Sequence, residues 1–237
     1  MSDKIISNTR KDTVSEKIID FKGSKPIFIM IGICILLFIL IFASRYIFQT
    51  DPKTLGELHE ENYLKKPSDT NYIYNGFSFI KLKADQRISD EFWYTQYERD
   101  GKIYDIPMQY GPKELIDIPI IRLNTTNKTL DKVYISITPD ENKSVPYLAQ
   151  STYEIAEKVV QVLGIVPEAA CSINKTAACS DRPIINCQNT DDAIVIEFFD
   201  SPETKVLVHD NCITIMAHDE DYLRASNKLI YHFLKID

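Results

Sequence analysis

Four cysteines carry the most legible chemistry in this chain: Cys171, Cys179, Cys187 and Cys212. Thiols in that number either pair as disulfides or hold a metal. A structural zinc site draws two ligands from a short Cys-x-x-Cys-like unit, because one tight turn aims both sulfurs at the ion. Here seven, seven and twenty-four residues separate successive cysteines. That spacing excludes the unit, and it also lacks the motif of a thioredoxin-like oxidoreductase. An even count therefore reads as two disulfides in an oxidising compartment. Of the three pairings, Cys171–Cys179 with Cys187–Cys212 is favoured. The strands expected at 193–199 and 204–208 would form a hairpin about Ser201-Pro202, which brings the flanking Cys187 and Cys212 to one edge.

The histidines are dispersed. His59, His209, His218 and His232 have no metal-ligand spacing. An enzyme site would have to be assembled from separated residues such as Asp181, Arg182, His209 and Asp210. The run His218-Asp219-Glu220-Asp221 lacks the alternating ligands and the glycine of a calcium loop. It reads instead as the acidic start of a helix, where carboxylates complement the dipole and cap free amides. No nucleophile elbow, metalloprotease helix, phosphate loop or dinucleotide fingerprint is present. The linear pattern thus assigns no catalytic residue, no metal ligand and no cofactor.

What positions this chemistry begins with Pro26–Ser44, nineteen residues without a charge. As a helix they extend about 28 Å, close to the ~30 Å hydrocarbon core of a bilayer. Thirteen of them are Ile, Leu or Phe, which gives a gross insertion term of about −4 to −8 kcal/mol. The run predicts a transmembrane helix over 26–48, with Arg45, Tyr46 and Phe48 at the interface. It is longer than the apolar core of a cleaved signal peptide, and Ala43-Ser44-Arg45 is a poor cleavage site. Cys34 lies within it as a small hydrophobe. Six basic residues precede the run, and only Arg45 and Lys53 follow closely, so the N-terminus is expected in the cytoplasm and the rest outside.

The expected organisation is a polar tail at 1–25, the anchor at 26–48, a linker at 49–70 and an extracytoplasmic domain at 71–237. The whole chain carries −7. Removing +2 for the tail (six basic, four acidic) and +1 for Arg45 leaves −10 beyond the anchor. That balance disfavours nucleic acid as a partner. The expected partners are the lipid bilayer, through 26–48, and a protein of the membrane or envelope. Sequons at Asn124, Asn127, Asn142 and Asn174 are candidate glycosylation sites on the outer side.

Within the domain, Tyr72–Leu82 reads as a strand interrupted by a bulge or tight turn at Asn75-Gly76. Phe92–Met108 reads as a hairpin about Asp100-Gly101 that pairs Thr95 with Ile106 and Trp93 with Met108. Residues 111–131 and 167–190 have loop composition. Lys132–Thr138, Ala193–Phe199, Thr204–Val208 and Cys212–Ala217 have strand patterns. Ser144–Leu163 has helical spacing, with Leu148, Thr152, Ile155, Ala156, Val159 and Leu163 on one stripe, and Gly164 stops it. Asp219–Leu234 follows as a second amphipathic helix. The fold class is α+β: a mostly antiparallel sheet covered by two amphipathic helices, preceded by one transmembrane helix.

Asn75-Gly76-Phe77, Trp93-Tyr94-Thr95, Ile106-Pro107, Cys179-Ser-Asp-Arg-Pro-Ile-Ile-Asn-Cys187 and Asn211-Cys212-Ile213 together resemble a family of single-pass membrane proteins. Its members come from small-genome archaea of the DPANN type. The resemblance runs from the anchor onward and implies an archaeal cell membrane with the domain facing out. It brings no activity and no catalytic residue. The function expected is that of a membrane-anchored, non-enzymatic module for cell-envelope or surface assembly; the alternative is an envelope enzyme or ligand-capture domain built from dispersed residues.

Overall fold

The computed structural model describes residues 25–48, 52–83, 90–123, 131–139, 146–190 and 192–237. The tail at 1–24, the side chains of Arg45, Tyr46 and Phe48, and the sequons at Asn124, Asn127 and Asn142 lie outside the described residues. Asn174 is described and exposed.

Turn chemistry sets the first sheet. Strand β1 (Asn71–Tyr74) reverses into β2 (Phe77–Lys83), and β3 (Glu91–Arg99) reverses into β4 (Lys102–Met108). The turn residues Asn75 and Gly76 have φ of 47° and 86°, and Asp100 and Gly101 have 53° and 73°. A type I′ turn needs positive φ at both central positions, which Asn, Asp and Gly tolerate best. The observed register pairs Trp93 with Met108, Thr95 with Ile106, Tyr97 with Tyr104 and Arg99 with Lys102, as the alternating pattern requires. The four strands are antiparallel in the order β1-β2-β3-β4. One face is buried through Tyr72, Phe79, Trp93, Ile106 and Met108.

The segment expected as a linker is largely folded onto this sheet. Helix α2 (Leu55–Leu64) opens with a reciprocal capping box between Thr54 and Glu57, so local signals alone start it. It then buries His59 and Asn62. The compact unit accordingly begins at Lys53 and runs to Asp237.

The second sheet corrects the antiparallel expectation. It holds β5 (Ile120–Leu123), β6 (Val133–Ile137), β7 (Glu168–Cys171), β8 (Ile194–Asp200), β9 (Lys205–His209) and β10 (Cys212–Ala217). Their order is β5-β9-β10-β8-β6-β7. Only β9 and β10 pair antiparallel; the other four ladders are parallel. Two causes account for this. Helix α3 (Pro146–Leu163) carries the chain from β6 to β7, and a helical crossover returns the next strand parallel to the first. The chain also does not close β8 onto β9, because β10 inserts between them. Strands β5 and β7, four residues each, fall in stretches whose composition reads as loop.

Helix α4 (Asp221–Phe233) packs against α3 and is touched by both sheets. Tyr231 meets Phe79 of the first sheet edge-on at 5.7 Å, and Tyr222 meets Phe198 of the second at 5.9 Å. The acidic start of α4 makes no side-chain cap. Asp221 instead accepts from Thr204 Oγ1 at 2.7 Å and from Arg224 at 2.9 Å. On α3 the buried residues are Ser151, Ile155, Lys158, Val159 and Val162. The expected stripe is therefore rotated: Thr152 and Ala156 are half-buried and Leu163 is exposed.

Helix α1 (Lys25–Phe48) belongs to a separate unit, Met1–Pro52. Its described side chains run from 28 to 44, and the large apolar ones are exposed, from 49% at Ile31 to 68% at Met30. Among the described residues no helix is long and apolar enough to cross a membrane. The span read as 26–48 is only partly covered by those side chains.

Replacing Gly101 with Val should destabilise the domain by about 1 kcal/mol or more, since a β-branched residue is forced to positive φ. Nothing lies within 4 Å of a Cβ at that position, so the cost comes from backbone conformation and not from a clash. Urea unfolding measures it; an unchanged midpoint would contradict the turn assignment.

Candidate functional site

A groove opens where α3 fails to cover the edge of the second sheet. Ile135 and Ile137 of β6 and Ala169 of β7 share the face that floors it; Thr152, Tyr153 and Ala156 of α3 form one wall, and Pro167, Glu168, Ala170 and Arg182 complete the lining. The cause is volume. Ala169 on the edge strand, small and beside Ile135 on the same face, leaves a trough of about 270 Å³. Gly164, at φ 75°, ends α3 and turns the chain toward β7.

The cysteine segment frames this groove. Cys171 pairs with Cys179, and Cys187 pairs with Cys212, with Cα separations of 5.9 Å and 5.3 Å. The pairing is the one favoured from sequence, but the geometric reason differs. Strands β8 and β9 are not neighbours. Cys212 opens β10, opposite Val195 on β8, and the chain just before β8 delivers Cys187 to it. The local bridge folds the segment back so that Pro183–Ile185 lies along the outer edge at Cys171. Cys171 N–H donates to Pro183 O, and Ile185 N–H donates to Cys171 O, each at 3.0 Å. Ser136 Oγ holds Ile185 O at 2.5 Å, and Glu197 accepts from Cys187 N–H at 3.1 Å. Arg182 stands at the start of this seam, its own N–H bonded to Cys179 O at 3.4 Å.

The residues proposed for a dispersed enzyme site are not brought together. Asp181 and Arg182 flank the β7 edge, whereas His209 and Asp210 occupy the β9–β10 turn, with β10, β8 and β6 between. His209 pairs with Asp210 at 3.7 Å, and His218 with Asp200 at 2.7 Å. Among the described residues no group of three or more His, Cys, Asp or Glu is placed to hold a metal ion.

Two further polar clusters carry no linear signal. In the first, His59 Nδ1 lies 2.7 Å from Ser78 Oγ, and Asn62 Nδ2 donates to Ser78 Oγ at 2.8 Å and to the Tyr72 and Phe79 carbonyls at 3.1 Å. A Ser–His pair suggests a nucleophile, but both residues are buried and neither lines the groove beside β7 or the cavity at Asp237. The cluster docks α2 on the sheet. In the second, Lys228 and His232 of α4 face Asp237 at 2.6 Å and 3.7 Å, and Arg122 Nη2 contacts His232 Nε2. These groups line a cavity of about 360 Å³ with Ile118, Pro119 and Ile120. Their polar groups engage one another, whereas Arg182 makes no ion pair among the described residues.

No protein-family model, curated protein or solved structure matches the chain.

Two expectations follow. Non-reducing peptide mapping should recover Cys171–Cys179 and Cys187–Cys212; a Cys179–Cys187 peptide, or four free thiols, would contradict the loop geometry. Burial pushes the His59 imidazole below its ordinary value, against a smaller upward pull from Asp105. A lowered pKa means that the unfolded chain binds the proton more readily, so stability rises with pH across the interval. The His59 contribution is present above about pH 6.5 and is lost as pH falls toward the folded value. His59→Asn, which keeps a donor near Ser78, should flatten that part of the stability–pH curve measured by urea unfolding between pH 7.5 and 5. An unaltered slope would remove His59 from the account.

Proposed function

We propose that the chain is a membrane-tethered interaction module. Helix α1 anchors it with the N-terminus in the cytoplasm, and the α+β domain stands outside and holds a protein partner of the membrane or envelope. The carrying observation is the surface of α1: the large apolar side chains at Phe28–Ile31, Ile33 and Ile35–Phe42 are all exposed, on a helix whose backbone groups are bonded within the segment, the condition for residence in lipid. The uncharged run from 26 to 44 and the basic excess before it support the same placement. The two disulfides support an oxidising exterior. The resemblance to single-pass membrane proteins of small-genome archaea would make that membrane an archaeal one.

The role proposed is binding without catalysis. The charged residues from which a site could be assembled are separated, Asp181 and Arg182 at the β7 edge and His209 and Asp210 in the β9–β10 turn, while the groove that does form is mainly apolar, with Arg182, which makes no ion pair among the described residues, at its rim. Short apolar clefts with one oriented charge suit recognition more than bond making.

A reporter fused after Asp237 should be active only outside the cytoplasm, and one fused before Met1 only inside. Crosslinking in native membranes followed by pull-down should recover a defined partner. A cytoplasmic C-terminus, or a domain released by mild salt without detergent, would overturn the tethered reading.

A further inference from the structure

The groove beside β7 is bounded by a free piece of strand edge, and that edge decides what fits it. Residues along a strand alternate in the neighbour they bond. Ser172 N–H bonds inward to Ile137 O at 3.0 Å, and Cys171 bonds outward to Pro183 and Ile185. Two places back, Ala169 directs its N–H and carbonyl outward by the same alternation. It is exposed, and among the described residues it has no backbone partner on that side. The segment that covers Cys171 turns away at Arg182 before it reaches Ala169. An open slot therefore lies between Pro167 and the start of the Pro183–Ile185 seam.

We propose that this slot receives the C-terminal end of an extended, apolar peptide, which adds to β7 in parallel and places its carboxylate at Arg182. The proposal rests on the interaction-module reading and names the partner's chemistry. Three observations converge on it. The free N–H and carbonyl of Ala169 supply the ladder bonds of strand addition, which a lipid tail has no groups to use. The trough over Ile135 and Ala169, about 270 Å³, lies below the roughly 300–1,000 Å³ of sites for larger ligands and suits one or two side chains. The incoming strand must also stop at Arg182, because Pro183–Ile185 already occupies the edge beyond. A chain end brings a carboxylate to that position, and the guanidinium is matched to it in geometry and charge. Arg182 is available for this role: Glu168, the acid in the groove, pairs with Lys132 at 3.5 Å.

The test uses the full chain in nanodiscs and an N-terminally labelled library of pentapeptides with apolar C-termini, each as free acid and as C-terminal amide, read by fluorescence anisotropy. Some free-acid peptides should bind, with their amides at least about tenfold weaker, the scale of one charge-assisted contact. Arg182→Gln, at an exposed position, should reduce the acid to the amide's level. Ala169→Trp should fill the trough and abolish both. Absence of any binding acid, equal binding of acid and amide, or indifference to Arg182→Gln would each overturn the proposal. If crosslinking still recovers a partner with Arg182→Gln, the interaction module stands and the groove is not its contact; if no partner is recovered from the unaltered chain, the broader reading fails.

Discussion

Helix α4 is the constraint on which the domain depends, because it is buried from two opposite sides. Tyr222, Leu223, Ala225, Ser226, Asn227, Leu229, Ile230 and Tyr231 are all buried, a distribution that a helix lying on one sheet does not need. Leu223, Leu229 and Ile230 are 0–1% exposed, and full burial of such side chains is worth about 1.5–3 kcal/mol each. Two of the polar residues in this position, Asn227 and Tyr231, are satisfied across the seam, whereas the buried Ser226 Oγ has no hydrogen-bond partner among the described residues. Asn227 accepts from Tyr110 N–H at 3.0 Å and donates to Glu154 of α3 at 2.9 Å, while Tyr231 Oη donates to Tyr110 O at 2.7 Å. The helix thereby fastens the hairpin sheet, α3 and the mixed sheet into one core.

The groove is a consequence of that arrangement. With one side of α3 committed to α4, its opposite flank only partly covers the β6–β7 edge, and Ala169 of β7 is too small to fill the gap. Arg99 at the tip of the hairpin fixes the far end of α3, donating to the Val160 and Gln161 carbonyls at 2.8 Å and 2.7 Å. The disulfides then hold the cysteine segment at the same edge. The bridge from Cys187 to Cys212 spans 25 residues and should contribute roughly 3 kcal/mol through loop entropy.

Local rules were readable in the chain; long-range ones were less so. The Asp100-Gly101 hairpin and its register follow from turn type and alternation, which involve adjacent residues only. The limits of α3 and α4 follow from spacing and from Gly164. The parallel ladders do not, because nothing in 193–217 marks that β10 inserts between β8 and β9. The cysteine pairing came out the same by a different route, since proximity of Cys187 to Cys212 holds for either topology. Strand β7 escaped notice because Glu-Ala-Ala-Cys has weak strand preference. The site escaped with it, because Ala169 matters for the atoms it lacks. On α4 one apolar stripe is visible, but Tyr231 packs on the hairpin sheet, Tyr222 on the mixed sheet and Asn227 bonds Tyr110 and Glu154, contacts that no helical pattern announces.

Native-state hydrogen exchange on the full chain in nanodiscs tests the role of α4 most directly. If α4 holds both sheets, its amides from Ala225 to Tyr231 exchange only through global unfolding, with the same free energy as the slowest amides of β3 and β8. Retained protection in either sheet under conditions where α4 has already exchanged would contradict the account.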